Sequence, residues 1–97
     1  MSTQNVDFLV KLQDIIDDRK QHMPEGSYTT KLFQKGINKI AQKVGEEAVE
    51  LIIESKDDNK ELLLNEAADL LYHLLVLLSA KKLRIENVIE VLESRHK

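Results

Sequence analysis

The sequence predicts an all-α domain, and three observations carry that expectation. One proline, three glycines and no tryptophan in 97 residues leave little turn chemistry for a sheet of hairpins. The long stretches are rich in Leu, Ile, Glu and Lys, residues that lose little freedom in a helix. Their apolar members recur at three- and four-residue steps, the period of a helix face. At this length one core is thin, so association with a second copy would help to bury apolar surface.

The first helix is expected over about Val6 to Gln21, where Val6, Leu9, Leu12, Ile15 and Ile16 share a face and Asn5 offers an N-cap. His22 to Thr30 contains Pro24, Gly26 and Ser27 and reads as a connection that could reach over a site. Ser27, Tyr28 and Thr29 within it offer hydroxyls suited to phosphate and would order when substrate binds. A second helical stretch runs from about Thr30 to Glu54 and is expected to break near Gly36, because an interior glycine costs roughly 1 kcal/mol relative to Ala. On its wheel Ile37, Ile40, Ala41, Val44, Ala48, Leu51 and Ile52 form an apolar face, opposite Lys39, Lys43, Glu46, Glu47, Glu50 and Glu54. After the polar break Lys56 to Lys60, with Asp57 or Asp58 as a cap, the next helix runs from about Asn59 to Lys81. It is apolar almost all round beyond Leu70, as a buried central helix would be. A last helix, Ile85 to Arg95, has Ile85, Val88, Ile89 and Leu92 as its apolar edge, with Arg84 as a poor N-cap.

Fourteen Lys and Arg against 17 Asp and Glu give a net charge of -3, without the basic footprint a nucleic-acid partner requires. The absence of cysteine excludes disulfides and thiolate metal sites and fits the cytoplasm. The first ten residues lack the basic and apolar regions of a secretory signal, and the run Leu70 to Ala80 is shorter than the ~20 residues of a membrane span. No membrane partner is expected.

The chemistry lies in the acids. Glu46, Glu47 and Glu50 stand in KVGEEAVEL, and after fifteen intervening residues come Glu66 and Asp69 in NEAADLLYHLL. An i, i+3 step puts Glu47 with Glu50, and Glu66 with Asp69, on one side of their helices. Taken alone, the first group would be a solvated face with Lys43 bridging Glu47. Glu66 and Asp69, however, fall in the most apolar helix, where ionised carboxylates must be paired, hydrogen-bonded or bound to a cation. Packed antiparallel, the two segments would converge four or five carboxylates on a hard cation, Mg2+ or Mn2+. His73, one turn after Asp69, reads as a core histidine hydrogen-bonded to that carboxylate, and Tyr72 as a buried hydroxyl bonded to a neighbour. No Glu-x-x-His occurs, which argues against a di-iron site. Lys39 and Lys43, on the acidic face, and Lys31 are candidate phosphate ligands.

Glu47-x-x-Glu50 followed by Glu66-x-x-Asp69 resembles the signature of the all-α MazG-like nucleotide pyrophosphohydrolases. SYTTKLFQKGINKIAQKVGEEAVEL, NEAADLLYHLLVLL and VIEVLESRH together resemble the phosphoribosyl-ATP pyrophosphohydrolase family within them. The resemblance implies a four- to five-helix MazG-like bundle completed by homodimerisation. It implies Mg2+-dependent hydrolysis of 1-(5-phosphoribosyl)-ATP, a small-molecule nucleotide, to 1-(5-phosphoribosyl)-AMP and pyrophosphate, the second step of histidine biosynthesis. Glu47, Glu50, Glu66 and Asp69 map onto the metal-binding role, with Glu46 as an additional acid beside them; on chemical grounds Glu46, or Glu47, is the candidate to accept the proton of a metal-bound water. The cyclohydrolase domain fused to some relatives would not fit in 97 residues. The alternatives are a sibling enzyme acting on ordinary or damaged (d)NTPs and a non-catalytic dimerisation module.

Overall fold

The computed structural model describes the backbone of residues 3–97 and the side chains of residues 6–97. Five helices follow one another, α1 (Thr3–His22), α2 (Tyr28–Lys35), α3 (Ile37–Glu54), α4 (Lys60–Ala80) and α5 (Ile85–Arg95), with no strand among the described residues. The all-α expectation and the boundaries of the last three helices therefore hold. α1 begins at Thr3, so Asn5 lies within it; the Asn5 side chain is outside the described residues.

The break at Gly36 is where the glycine argument put it, and the backbone shows why. Gly36 adopts φ 91°, ψ 178°, a combination essentially confined to glycine, between the end of α2 and the start of α3. Its N–H closes α2 on the carbonyls of Leu32 and Phe33, while its own carbonyl accepts from Ile40 N–H at 3.1 Å. No other atom lies within 4 Å of where a Cβ would stand, so the constraint is conformational rather than steric. Gly36→Ala is expected to destabilise by about 1–3 kcal/mol, the cost of such a backbone for an L-residue, read as a lower urea midpoint at unchanged slope.

The connection after α1 is shorter than the sequence suggests. Ser27 caps α2, its Oγ accepting from Thr30 N–H at 3.2 Å, and Tyr28 and Thr29 are already helical. Thr29 and Thr30 are buried, so this end of the segment is packed into the fold, while Tyr28 is exposed. At the start of α4 the cap is Asn59, whose Oδ1 accepts from Leu62 N–H at 3.0 Å, rather than Asp57 or Asp58.

α3 and α4, joined by five residues, form an antiparallel αα-hairpin; α1 lies along α4 and touches α2 and α5. The core is Ile16, Leu32, Ile40, Leu75, Val76 and Ile85, lined by Leu9, Leu12, Phe33, Tyr72 and Val88 among others. It is concentrated on α1, α2, the start of α3 and the second half of α4. Gln13 is fully buried inside it: its Nε2 donates to the Leu75 carbonyl at 3.2 Å and its Oε1 accepts from Ile85 N–H at 3.0 Å. That accepted bond satisfies one of the orphan donors at the start of α5. Arg84 strengthens the same junction through Asp14 (2.7 Å), Asp17 (2.8 Å) and Glu86 (3.0 Å); Glu86, then Asp14, push its guanidinium pKa still higher against its partial burial. The poor N-cap is thus compensated by Asn87, whose Oδ1 accepts from Arg84 N–H at 2.9 Å.

The far end of the α3–α4 hairpin reaches beyond this core. The radius of gyration, 14.5 Å, exceeds the ~13 Å of a compact chain of about 100 residues. Here α3 is rolled from the expected orientation: of the predicted apolar face Ile40 is buried and Val44, Ala48 and Leu51 are half-buried, but Ile37, Ala41 and Ile52 are exposed. Glu47 is buried against α4, whereas Ile37, Val49, Ile52 and Ile53 are exposed, as are Leu62 and Leu64 on α4. Outward residues Val6 and Ile15 of α1, and Ile89 and Leu92 of α5, likewise lie outside the core. α4 is long and apolar enough to cross a membrane by length and composition, but its apolar second half is the core of the fold and its first half carries Glu66 and Asp69.

Candidate metal centre

Two ordinary helical steps build the centre. On α3, Lys43, Glu47 and Glu50 occupy one stripe through i, i+4 and i, i+3 spacing; on α4, Glu66, Asp69 and His73 do the same. Because the hairpin is antiparallel, the stripes face each other. Carboxylate oxygens of Glu47, Glu66 and Asp69 all lie within 4.8 Å of one another. Glu47 is buried, Glu66 half-buried and Asp69 exposed, so the group forms a recess open on the Asp69 side. Of the four carboxylates expected to converge, Glu47, Glu66 and Asp69 do so, with Glu47 the most deeply buried and Asp69 more exposed than its apolar helix suggests.

Two oxygens decide what the recess can hold. Glu47 Oε2 and Glu66 Oε2 are sealed from solvent and have no hydrogen-bond partner. Burying a carboxylate oxygen without a donor is costly, and three such groups this close repel one another. The neighbouring Glu50 carboxylate raises the Glu66 pKa to about 7, assisted by burial and by the negative charges of Glu47 and Asp69. A proton therefore partly neutralises the cluster, and a hard divalent cation with all-oxygen ligands would do so more fully. Glu50, exposed, stands outside the three converging residues and joins them through Glu66.

The shift has a definite sign in the cation-free protein. Glu66 has a raised folded pKa, so the proton it holds stabilises the fold fully below about pH 4.5, and this is lost as pH rises through about 7. The melting temperature in EDTA should accordingly fall between about pH 5 and 8, and Glu66→Gln should flatten the fall. Glu46 works in a different window. Its carboxylate is held below the usual range by Gln42 Nε2, at 2.9 Å, against slight burial and with help from Lys43 and Lys39.

Lys43 lies between the acids, its Nζ 3.4 Å from Glu46 and 3.7 Å from Glu47. Burial opposes its charge, but Tyr28, Glu46 and Glu47 outweigh that and raise its pKa. Lys39 is near enough to Glu46 to act on its charge, whereas Lys31 is exposed on α2; neither makes an ion pair among the described residues. His73 departs from expectation. Its Nδ1 bonds the backbone carbonyl of Asp69 at 2.7 Å, not the carboxylate, and its Nε2 meets the Tyr28 hydroxyl at 2.7 Å. Tyr72 bonds the Thr29 hydroxyl, a neighbour as expected, and completes a double tie between α2 and α4. The Tyr28 contact was missed because residues 45 apart cannot be paired by helical spacing. The available signal was Ser27 ahead of Tyr-Thr-Thr, which marks a helix start rather than a loop.

The profile of the family described as phosphoribosyl-ATP pyrophosphohydrolase matches residues 9–96, nearly the whole chain and both acidic stripes. The chain belongs to that family. Among curated proteins it is 58% identical over 89 residues to a histidine biosynthesis bifunctional protein of Bacteroides thetaiotaomicron, covering 92% of this chain and 44% of that protein. It is 53% identical over 90 residues to a phosphoribosyl-ATP pyrophosphatase of Clostridium acetobutylicum, covering 93% and 82%. A phosphoribosyl-ATP pyrophosphatase of Leptospira biflexa is 44% identical over 91 residues, covering 94% and 99%. The chain thus spans less than half of the bifunctional relative and most of the two shorter ones.

Proposed function

We propose that this family member hydrolyses 1-(5-phosphoribosyl)-ATP to 1-(5-phosphoribosyl)-AMP and pyrophosphate, the second step of L-histidine biosynthesis, in the cytoplasm. The observation that carries the reading is the pair of sealed, unpartnered carboxylate oxygens on Glu47 and Glu66 beside Asp69. Glu47, Glu66 and Asp69, with Glu50 behind Glu66, would hold Mg2+, or Mn2+ in its place. The ion would neutralise polyphosphate charge and acidify a bound water.

The remaining work falls to the chain. Glu46, ionised and exposed at the edge of the recess, is suited to accept the proton of the attacking water, and Glu47 is the other candidate for that role. Lys43 would turn from Glu46 and Glu47 to the phosphates, with Lys39 and Lys31 supplying further positive charge. The exposed stripe Ala41, Gly45, Val49, Ile52 and Ile53 on α3, with Leu62 and Leu64 on α4, suits a second copy packed against the hairpin. The functional unit on this reading is a homodimer.

The test is product release by the purified protein with Mg2+, comparing phosphoribosyl-ATP with ATP and a panel of dNTPs. Phosphoribosyl-AMP and pyrophosphate from the first substrate alone would support the reading. Preferential turnover of dNTPs would reassign the protein to nucleotide house-cleaning, and no turnover of any of them would leave a dimerisation module.

A further inference from the structure

We propose that Tyr28 is a catalytic residue of this hydrolysis and His73 its positioning residue: the phenolic oxygen, locked by the buried imidazole, accepts a hydrogen bond from the attacking water. The proposal rests on the pyrophosphohydrolase reading above.

The direction of the hydrogen bonds leads to it. His73 is only 6% exposed, and its Nδ1 lies 2.7 Å from the Asp69 backbone carbonyl. A carbonyl can only accept, so Nδ1 carries a proton, and in the neutral imidazole Nε2 is then a lone pair. Tyr28, 2.7 Å from Nε2, must donate its phenolic proton there. Its oxygen is left with lone pairs alone. Such an oxygen has nothing to offer an ionised phosphate, which also only accepts, and it suits a group that brings its own proton.

Through His73 the Tyr28 hydroxyl is tied to the turn of α4 that carries Asp69. The His73 ring is flanked edge-on by Tyr28 and Tyr72, with centroids 5.7 and 5.6 Å away. The hydroxyl pair Thr29–Tyr72 ties the neighbouring residue of α2 to the neighbouring residue of α4. Asp69, whose carbonyl anchors His73, contributes its carboxylate to the recess, and Lys43, Glu47 and Asp69 all act electrostatically on Tyr28. Tyr28 itself is 50% exposed, so its free side is open to water.

The step then balances without a proton change on Tyr28. The water oxygen forms a bond to phosphorus, the anhydride P–O bond between the α and β phosphates breaks, and pyrophosphate leaves. One water proton passes to a carboxylate of the cluster. The other is held by the Tyr28 oxygen, which orients the attacking lone pair.

Steady-state kinetics on phosphoribosyl-ATP with Mg2+ test this in wild type, Tyr28→Phe, His73→Gln, His73→Leu and the Tyr28→Phe/His73→Leu double variant. Loss of one hydrogen bond made to the reacting water should lower kcat by roughly tenfold in Tyr28→Phe, with KM within about twofold of wild type. His73→Leu should match it, the double variant should be no worse than either, and His73→Gln, which keeps an acceptor for the phenol, should recover most of the loss. An unchanged kcat in Tyr28→Phe, a change in KM alone, or additive losses in the double variant would overturn the proposal. Should His73→Leu fail to fold, Tyr28→Phe and His73→Gln decide it. Wild-type turnover with an unaffected Tyr28→Phe rejects this proposal alone; a wild type inactive on phosphoribosyl-ATP removes the reading beneath it and the proposal together.

Discussion

Glu47→Gln and Asp69→Asn are each expected to lower turnover of phosphoribosyl-ATP by on the order of 10^3-fold, the scale for removing a preorganised charge from a transition state. Both changes keep side-chain shape while removing a negative charge from a group of oxygens within 4.8 Å. In EDTA their melting temperatures should equal or exceed that of wild type, since each relieves like-charge repulsion. Against this, Glu47→Gln loses only a 3.7 Å contact with Lys43. Lower activity with undiminished stability is the mark of a site that strains its fold for function. Glu61→Gln, an exposed acid in the first turn of α4, serves as the control and should change neither property.

If the proposed homodimer forms through the hairpin, Ile53→Glu is expected to convert it into a monomer. Ile53 is 57% exposed beside Ile52 and Val49, at the end of the hairpin that overhangs the core. Burying such a side chain contributes about 1.5–3 kcal/mol, and a two-fold interface counts it twice. The dissociation constant should rise roughly 10^2- to 10^4-fold, measured by sedimentation equilibrium, and the melting temperature should lose its dependence on protein concentration. A wild type that sediments as a monomer at all concentrations would refute the interface.

The helices were legible because apolar spacing, Gly36 and the polar Lys56–Lys60 break are local signals, and local signals set boundaries. The roll of α3 was not. A helical wheel shows that one face is apolar and the other acidic, but which face meets α4 depends on the partner helix and on what else covers the apolar stripe. Here Glu47 is buried on the same side as Ile40 while Ile52 is left exposed, a roll that the wheel alone does not specify. The five acids were legible as a set for the same local reason, i, i+3 spacing on two segments. Their division into three converging residues and Glu50 behind them required the packed hairpin. Gln13 left no trace in the sequence, since a glutamine on an amphipathic helix ordinarily faces water; its partners, Leu75 and Ile85, are 62 and 72 residues away. Tyr28 and His73 stood out singly, but their pairing escaped by the same rule, since it needs α2 docked on α4.

The most direct measurement on the carboxylate recess is a Mg2+ titration of thermal stability near pH 8, for wild type and Glu47→Gln in parallel. At a free concentration 100-fold above its Kd, an ion that binds only the folded state adds about 2.7 kcal/mol, or ~10 °C or more for a domain of this size. The account predicts a saturable rise of that order in wild type, smaller near pH 6 where a proton competes for Glu66, and little or none in Glu47→Gln. No saturable rise in wild type, or an equal rise in both proteins, would contradict it.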